Sequence, residues 1–186
     1  MSTQAPTQQL WFDVVFEGIF IKGMGNRMTP ELKADLLALG VDVTRLGPAY
    51  PIPVARKALQ AAHKRLYPDM TEAEAFRELG ISSVKGYLDT FIGKALLGVV
   101  KLIGVRRSLM RLHLTLSGGN NYLHSTPEVI GPTCIEITLN DVSDMPTFWE
   151  GILFGGAQVA HAKNLRMSLV PKTPPSYSYR VEWDES

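Results

Sequence analysis

Cys134-Ile135-Glu136-Ile137-Thr138-Leu139 alternates in the manner of a half-buried strand, and Leu165-Arg166-Met167-Ser168-Leu169-Val170 and Tyr177-Ser178-Tyr179-Arg180-Val181-Glu182-Trp183 do the same. Between the first and second of these segments the sequence predicts one helix, over residues 146–162, opened by Pro146. The order strand, helix, strand, strand decides the fold class. That helix carries Gly151, Gly155 and Gly156, each costing about 1 kcal/mol against alanine in a helix interior. Close approach of a sheet, a partner helix or a ligand is the expected reason for them. Phe148, Trp149, Ile152, Leu153 and Phe154 make the helix apolar nearly all round, which predicts contacts on more than one face.

Outward from this unit, toward the N-terminus, the chain reads as helical. Phe12 to Ile21 is rich in β-branched and aromatic residues and predicts a strand, with Glu17-Gly18 as a bulge. Thr29-Pro30-Glu31 caps a helix that Gly40 ends. The prolines of residues 46–53 enforce a turn, after which Val54, Ala58, Leu59, Ala62 and Leu66 recur at helical spacing up to Tyr67-Pro68. Thr71-Glu72-Ala73-Glu74 has the form of a capping box, with a short helix ending at Gly80. An apolar stripe from Val84 to Val99 follows, breaks at Gly104 and resumes to Leu112, while Arg111 to Leu116 alternates like a strand. Ser117-Gly118-Gly119-Asn120-Asn121 is a turn. The fold class is therefore α+β: N-terminal helices packed on a small antiparallel sheet, with a closing β-α-β-β unit. Residues 1–10 are expected to form a disordered tail, and residues 11–186 a single ligand-binding-like domain.

A chain of 186 residues, 45% hydrophobic and 20% charged, suits one domain with a sizeable core. Its formal net charge of +1 gives no electrostatic reason to expect nucleic acid as a partner. Residues 91–105 are apolar apart from Lys94 and Lys101, too short and too interrupted for the roughly 20 residues that span a bilayer. The N-terminus has no signal-peptide pattern, and the single Cys134 forms no internal disulfide, so the expected compartment is the cytoplasm.

No catalytic signature appears. His63, His113, His124 and His161 have neither zinc-site spacing nor an HExxH arrangement, so no metal is expected. His124 and His161 stand as lone candidates for a haem ligand, beside the simpler reading of surface histidines. Cys134 reads as a small buried apolar residue, and the pairs Asp141 with Asp144 and Glu72 with Glu74 read as capping and solubility. Arg107 and Arg111 would share a helix face and clamp the phosphates of a nucleotide or cyclic dinucleotide, or would be a solvated face.

The chain resembles an uncharacterised paralogous family abundant in myxobacteria. The resemblance covers most of residues 16–183 and rests on Phe16-Glu17-Gly18, Ala49-Tyr50-Pro51, residues 74–80 and 90–95, Asn120-Asn121-Tyr122 and Arg180-Val181-Glu182-Trp183. Through Phe148-Trp149-Glu150-Gly151, Gly155 and the two closing strands it is also distantly similar to the ligand-binding fold of haem nitric-oxide-binding domains, vinyl-4-reductase-type sensors and Bet3-like subunits. That similarity implies helices enclosing a cavity against a small sheet. Haem-binding members use a tyrosine, serine and arginine at alternating positions, whereas Tyr177-Ser178-Tyr179-Arg180 holds these types in a different register. The cofactor stays unspecified, and no haem histidine is carried over.

The expectation is a non-enzymatic sensor or adaptor that binds a small apolar or amphipathic ligand and signals through a homodimer or partner surface. Phe91, Leu96, Phe148, Trp149 and Ile152 would supply apolar contact, and Asn121 and Tyr122 would fix orientation. A ligand-free interaction module and the nucleotide receptor are the alternatives.

Overall fold

The computed structural model describes residues 7–184, apart from the side chains of Phe91, Ile92, Lys101 and Pro171. The chain opens with a short strand, β1 (Leu10–Phe12), and passes at once into helix: α1 (Asp13–Phe16), then a π-helical segment over Glu17–Gly23. The strand expected from Phe12 to Ile21 is thus helical after its first residue. Tertiary packing overrides β-propensity here, because the Glu17–Gly23 backbone lies directly on a later helix, α4 (Glu72–Leu88), at Gly86, where any Cβ would fall on the Gly18 carbonyl.

Helices α2 (Pro30–Ala38) and α3 (Ile52–Leu66) follow the sequence reading, with Thr29 accepting a hydrogen bond from the Leu32 amide. Between them β2 (Ala49–Pro51) pairs antiparallel with β1. Helix α4 starts at the expected capping box: Thr71 and Glu74 exchange hydrogen bonds between side chain and backbone. It does not stop at Gly80 but runs on to Leu88. Thr90 then caps α5 (Phe91–Met110), which bends at Gly104, where φ is 75° and ψ 177°. The strand expected from Arg111 to Leu116 is instead the short helix α6 (Leu112–Leu116). Its alternation arises from two faces of a single helical turn, too short a stretch for periodicity to arbitrate.

The closing unit is β4 (Cys134–Leu139), α7 (Pro146–Val159), β5 (Lys163–Pro171) and β6 (Tyr177–Asp184), as the sequence predicts. A further edge strand, β3 (Ser125–Gly131), joins it, giving an antiparallel sheet in the order β3-β4-β6-β5. Pro127 and a largely exposed pattern hide β3 in the sequence, and an edge position is where proline is tolerated. Ile135, Ile137, Leu139, Tyr179 and Val181 are fully buried under the helices. On β4 and β6, Glu136 is buried and accepts from Arg180 at 3.1 Å, with Lys172 at 3.5 Å. Among the described residues no helix is long and apolar enough to cross a membrane.

The fold turns on the crossing of α4 and α7. A Cβ on Gly151 would fall on the Arg77 carbonyl and lie 3.0 Å from the Ile81 amide nitrogen, and one on Gly80 would fall on the Phe148 carbonyl. The two backbones touch. Arg77 reinforces the crossing from its rim, donating to Glu150 at 2.9 Å with its guanidinium 4.6 Å from the centre of the Phe154 ring. Gly156, one turn further along α7, has no atom within 4 Å of where its Cβ would lie.

Gly151→Ala is therefore expected to destabilise the protein by about 3 kcal/mol through overpacking, whereas Gly156→Ala should stabilise it by about 0.5–1 kcal/mol; urea unfolding of the two variants measures both. Arg180 holds the Glu136 carboxyl below its ordinary value of 4.5. A depressed native pKa adds stability above the unfolded value that is lost as pH falls through the native one. Wild type should lose stability below about pH 4.5 more steeply than Glu136→Gln, read from denaturation midpoints across that range.

Candidate functional site

The side chain missing at Gly156 leaves room between α4, α5 and α7. A cavity of about 170 Å³ lies there. Ile152, Leu153, Gly156 and Val159 form its wall on α7, Ser83, Val84, Tyr87 and Leu88 its wall on α4, and Leu96, Val100, Ser108 and Leu109 its wall on α5. Val14 and Val15 of α1, Leu112, Thr115 and Leu116 of α6, and Phe148 and Trp149 also line it, and it opens partly to the surface. The lining is almost wholly apolar.

Each face of α7 has its own neighbour, which explains why the helix is apolar nearly all round. Gly151 meets α4, Ile152 and Gly156 meet the cavity, and Phe148 and Trp149 meet the aromatic cluster around Trp11. In that cluster Trp11 stacks on Phe148 with centroids 5.2 Å apart and meets Trp149 edge-on at 5.9 Å. The Tyr179 hydroxyl ties the sheet to the start of α7, donating to the Pro146 carbonyl at 2.8 Å, and burial pushes its pKa up.

Of the residues singled out in the sequence, Leu96, Phe148, Trp149 and Ile152 line this cavity together. The side chain of Phe91 lies outside the described residues. Asn121 and Tyr122 lie elsewhere, and their polar groups are engaged in fastening the N-terminal strand. Asn121 accepts from the Leu10 amide at 2.8 Å and donates to the Gln8 carbonyl at 2.9 Å. The Tyr122 hydroxyl accepts from the Trp11 indole and from Ser143, both at 3.2 Å, and burial raises its pKa. Residues 8–10 of the expected tail are therefore pinned to the domain, Gln9 by a 2.7 Å bond to Asp141.

The neighbouring Asn120 is the turn's anchor. Buried at one end of the cavity, it donates to the Leu116 carbonyl and accepts from the Tyr122 and Leu123 amides. Arg107 and Arg111 are both exposed, Arg107 in the last turn of α5 and Arg111 at its C-cap with φ −105° and ψ 10°. His124 and His161 are exposed, and Cys134 is partly exposed at the start of β4, its thiol pKa raised by burial and by Glu182.

The sequence reading missed Tyr87, Ser108 and Gly156 as cavity residues. Gly156 offered no separate signal, since in sequence it looks the same as Gly155, which packs on Val84. Ser108 offered one, as the lone serine between Val105 and Leu109 on an otherwise apolar helix face.

This architecture is that of the H-NOX domains. The structure is similar to an H-NOX protein from S. oneidensis in the Fe(II) ligation state, at 16% identity and a TM-score of 0.71, covering 92% of this chain and 95% of that one. It is similar also to a doubly substituted Tt H-NOX (14% identity, TM-score 0.65, 92% and 95% covered) and to an oxygen-binding H-NOX domain related to soluble guanylate cyclases (11%, 0.64, 92% and 94%). No curated protein matches the sequence. The chain belongs to the DUF2378 family, described as proteins of unknown function, whose model matches residues 9–184.

Asn120→Ala would strand the buried Leu123 amide and the Tyr122 amide at the cavity's end. A loss of about 2–3 kcal/mol is expected, against about 1 kcal/mol for Tyr122→Phe, which removes one hydroxyl; thermal unfolding compares them.

Proposed function

We propose that this chain is a non-catalytic sensor or adaptor domain that takes up a small apolar molecule between α4, α5 and α7. The observation that carries the reading is the cavity itself. Dense cores leave few voids larger than a water molecule, and a cavity of about 150 Å³ lined by Leu, Ile and Phe stays dry and accepts benzene or xenon. At about 170 Å³, this one matches a single-ring aromatic or a short alkyl chain.

The haem named for some H-NOX neighbours does not fit the residues present. Among the described residues, no His, Cys, Met, Lys or Arg lines the cavity, and its volume is about 170 Å³ against the roughly 300–1,000 Å³ of drug- and cofactor-sized sites. Tyr87 is the one phenol in the lining, and burial pushes its pKa above the ordinary value. The four histidines lie outside the lining. The fold is thus read as holding a smaller, metal-free guest.

We place the signalling surface on α5. Its inner side supplies Leu96 and Val100 to the cavity, while Val99 and Leu102, the latter 87% exposed, face outward. The bend at Gly104 lies between that exposed segment and the Ser108 wall, so a guest that shifts α5 moves both.

Native mass spectrometry of protein purified from its host, and of protein titrated with single-ring aromatic hydrocarbons, tests the reading. An adduct is expected that Gly156→Leu abolishes while leaving the chain folded by circular dichroism, because the leucine grows into the cavity. A bare mass throughout, or an adduct indifferent to Gly156→Leu, contradicts it.

A further inference from the structure

Between Asp89 and Glu128 the chain holds no acidic residue, yet five of its nineteen lysines and arginines fall there: Lys94, Lys101, Arg106, Arg107 and Arg111. The rest of the chain carries the other fourteen basic residues against all eighteen acidic ones, a net charge of −4. The overall +1 therefore conceals a stretch of +5, and that stretch is α5, α6 and the chain leading into β3. Globular surfaces ordinarily intersperse both signs, and a large field of one sign steers a partner of the other.

The outer side of α5 is apolar at its centre. Lys94, Ala95, Gly98, Val99 and Leu102 are all exposed and recur at three- and four-residue spacing, which sets them on one helix face. Leu102 is 87% exposed, and a Cβ on Gly98 would have no atom within 4 Å, so the described residues leave this face uncovered there. The cavity fixes which way is inward on both sides of the bend at Gly104: Leu96 and Val100 line it before the bend, Ser108 and Leu109 after it. Leu102 and the exposed Arg106 and Arg107 accordingly turn away from the cavity. The four residues from Leu102 to Arg106 span at most about 14 Å.

No carboxylate neutralises this face. Lys94, Arg106, Arg107 and Arg111 make no ion pair among the described residues. Glu128 on β3 stands opposite Glu136 in register, and the flanking Ile135 and Ile137 are the residues buried under the helices, so both glutamates point to the other side of the sheet. The acids of α4 and α7 are engaged, Glu72 by Arg56, Glu78 and Glu150 by Arg77, and Glu74 in the Thr71 cap. An acidic macromolecule would answer the cations but not the protruding leucine. A lipid interface answers both, taking apolar side chains at the acyl boundary and cations at anionic headgroups. Resting on the placement of the signalling surface on α5, we infer that this face docks the chain peripherally on an anionic lipid surface. Val99 and Leu102 enter the interface, Lys94, Arg106 and Arg107 meet the headgroup phosphates, and the net negative remainder of the chain is turned away from them.

Co-sedimentation of the full chain with phosphatidylcholine vesicles, plain or containing phosphatidylglycerol, tests this. Binding is expected only to the anionic vesicles, and added salt should weaken it. Arg106→Gln together with Arg107→Gln should lower it about twenty-fivefold, roughly fivefold per charge, and Leu102→Ser about tenfold. Lys33→Gln together with Lys57→Gln, the same loss of charge at exposed sites outside the stretch, should leave it unchanged. No binding to anionic vesicles, or binding that Leu102→Ser leaves intact, overturns the lipid assignment. Capture of the chain by polyglutamate or a DNA duplex in preference to the vesicles overturns it too, and assigns the face to an acidic macromolecule. None of these substitutions touches the cavity lining, so the aromatic adduct in native mass spectra and the vesicle binding report separately on the guest and on the membrane.

Discussion

Where α4 crosses α7, two helices meet backbone to backbone, and the geometry of the whole domain follows from that contact. Gly80 and Gly151 permit it, the backbone of the other helix lying where the side chain of each would otherwise sit. Most helix pairs are held 8–10 Å apart by their side chains. Removing those side chains lets the two backbones meet directly at Gly80 and Gly151, and at Gly155 a Cβ would still lie 3.2 Å from the Val84 Cβ. The Arg77–Glu150 pair guards the rim of this contact, while Gly156, on another face of α7, has no atom within 4 Å of where its Cβ would lie. Gly151 and Gly155 thus serve the crossing, and Gly156 faces the cavity.

The remaining elements hold α7 in that position. Tyr179 anchors its first turn to the sheet, and Trp11 stacks on Phe148 from the N-terminal strand. That strand is in turn held by Asn121 and Tyr122. Residues distant in sequence thus converge on the helix, and α5, bent at Gly104, closes the free side. The shared architecture with H-NOX domains is one of helices against a small sheet, but the chemistry of this cavity is set by its own side chains.

Much of this was legible in the sequence. The closing unit announced itself through period-2 strands around a glycine-bearing helix, and Thr71 with Glu74 marked the start of α4, because these signals are local. The N-terminal strand beyond Phe12 misread as β because the contact that makes it helical, Glu17–Gly23 against α4 at Gly86, joins residues far apart in sequence. Helix α4 was cut short at Gly80 for the same reason: a glycine that looks like a terminator is interior when another helix lies on it. Hydrophobic patterning alone marks Phe91, Leu96, Phe148, Trp149 and Ile152 as apolar contacts, and the last four share one lining. Asn121 and Tyr122 were read as ligand contacts because amide and phenol chemistry in a turn suits a ligand as well as it suits a strand, and only the fold shows which they meet.

Ligand uptake between α4, α5 and α7 requires the space beside Gly156 to be open and dry. A crystal structure of the protein under pressurised xenon measures this directly, since xenon enters apolar voids and is unmistakable by its anomalous scattering. A xenon atom lodged among Leu96, Ile152 and Gly156 is the predicted result. Well-ordered water in that space, or side chains collapsed to fill it with no xenon bound, would contradict the account.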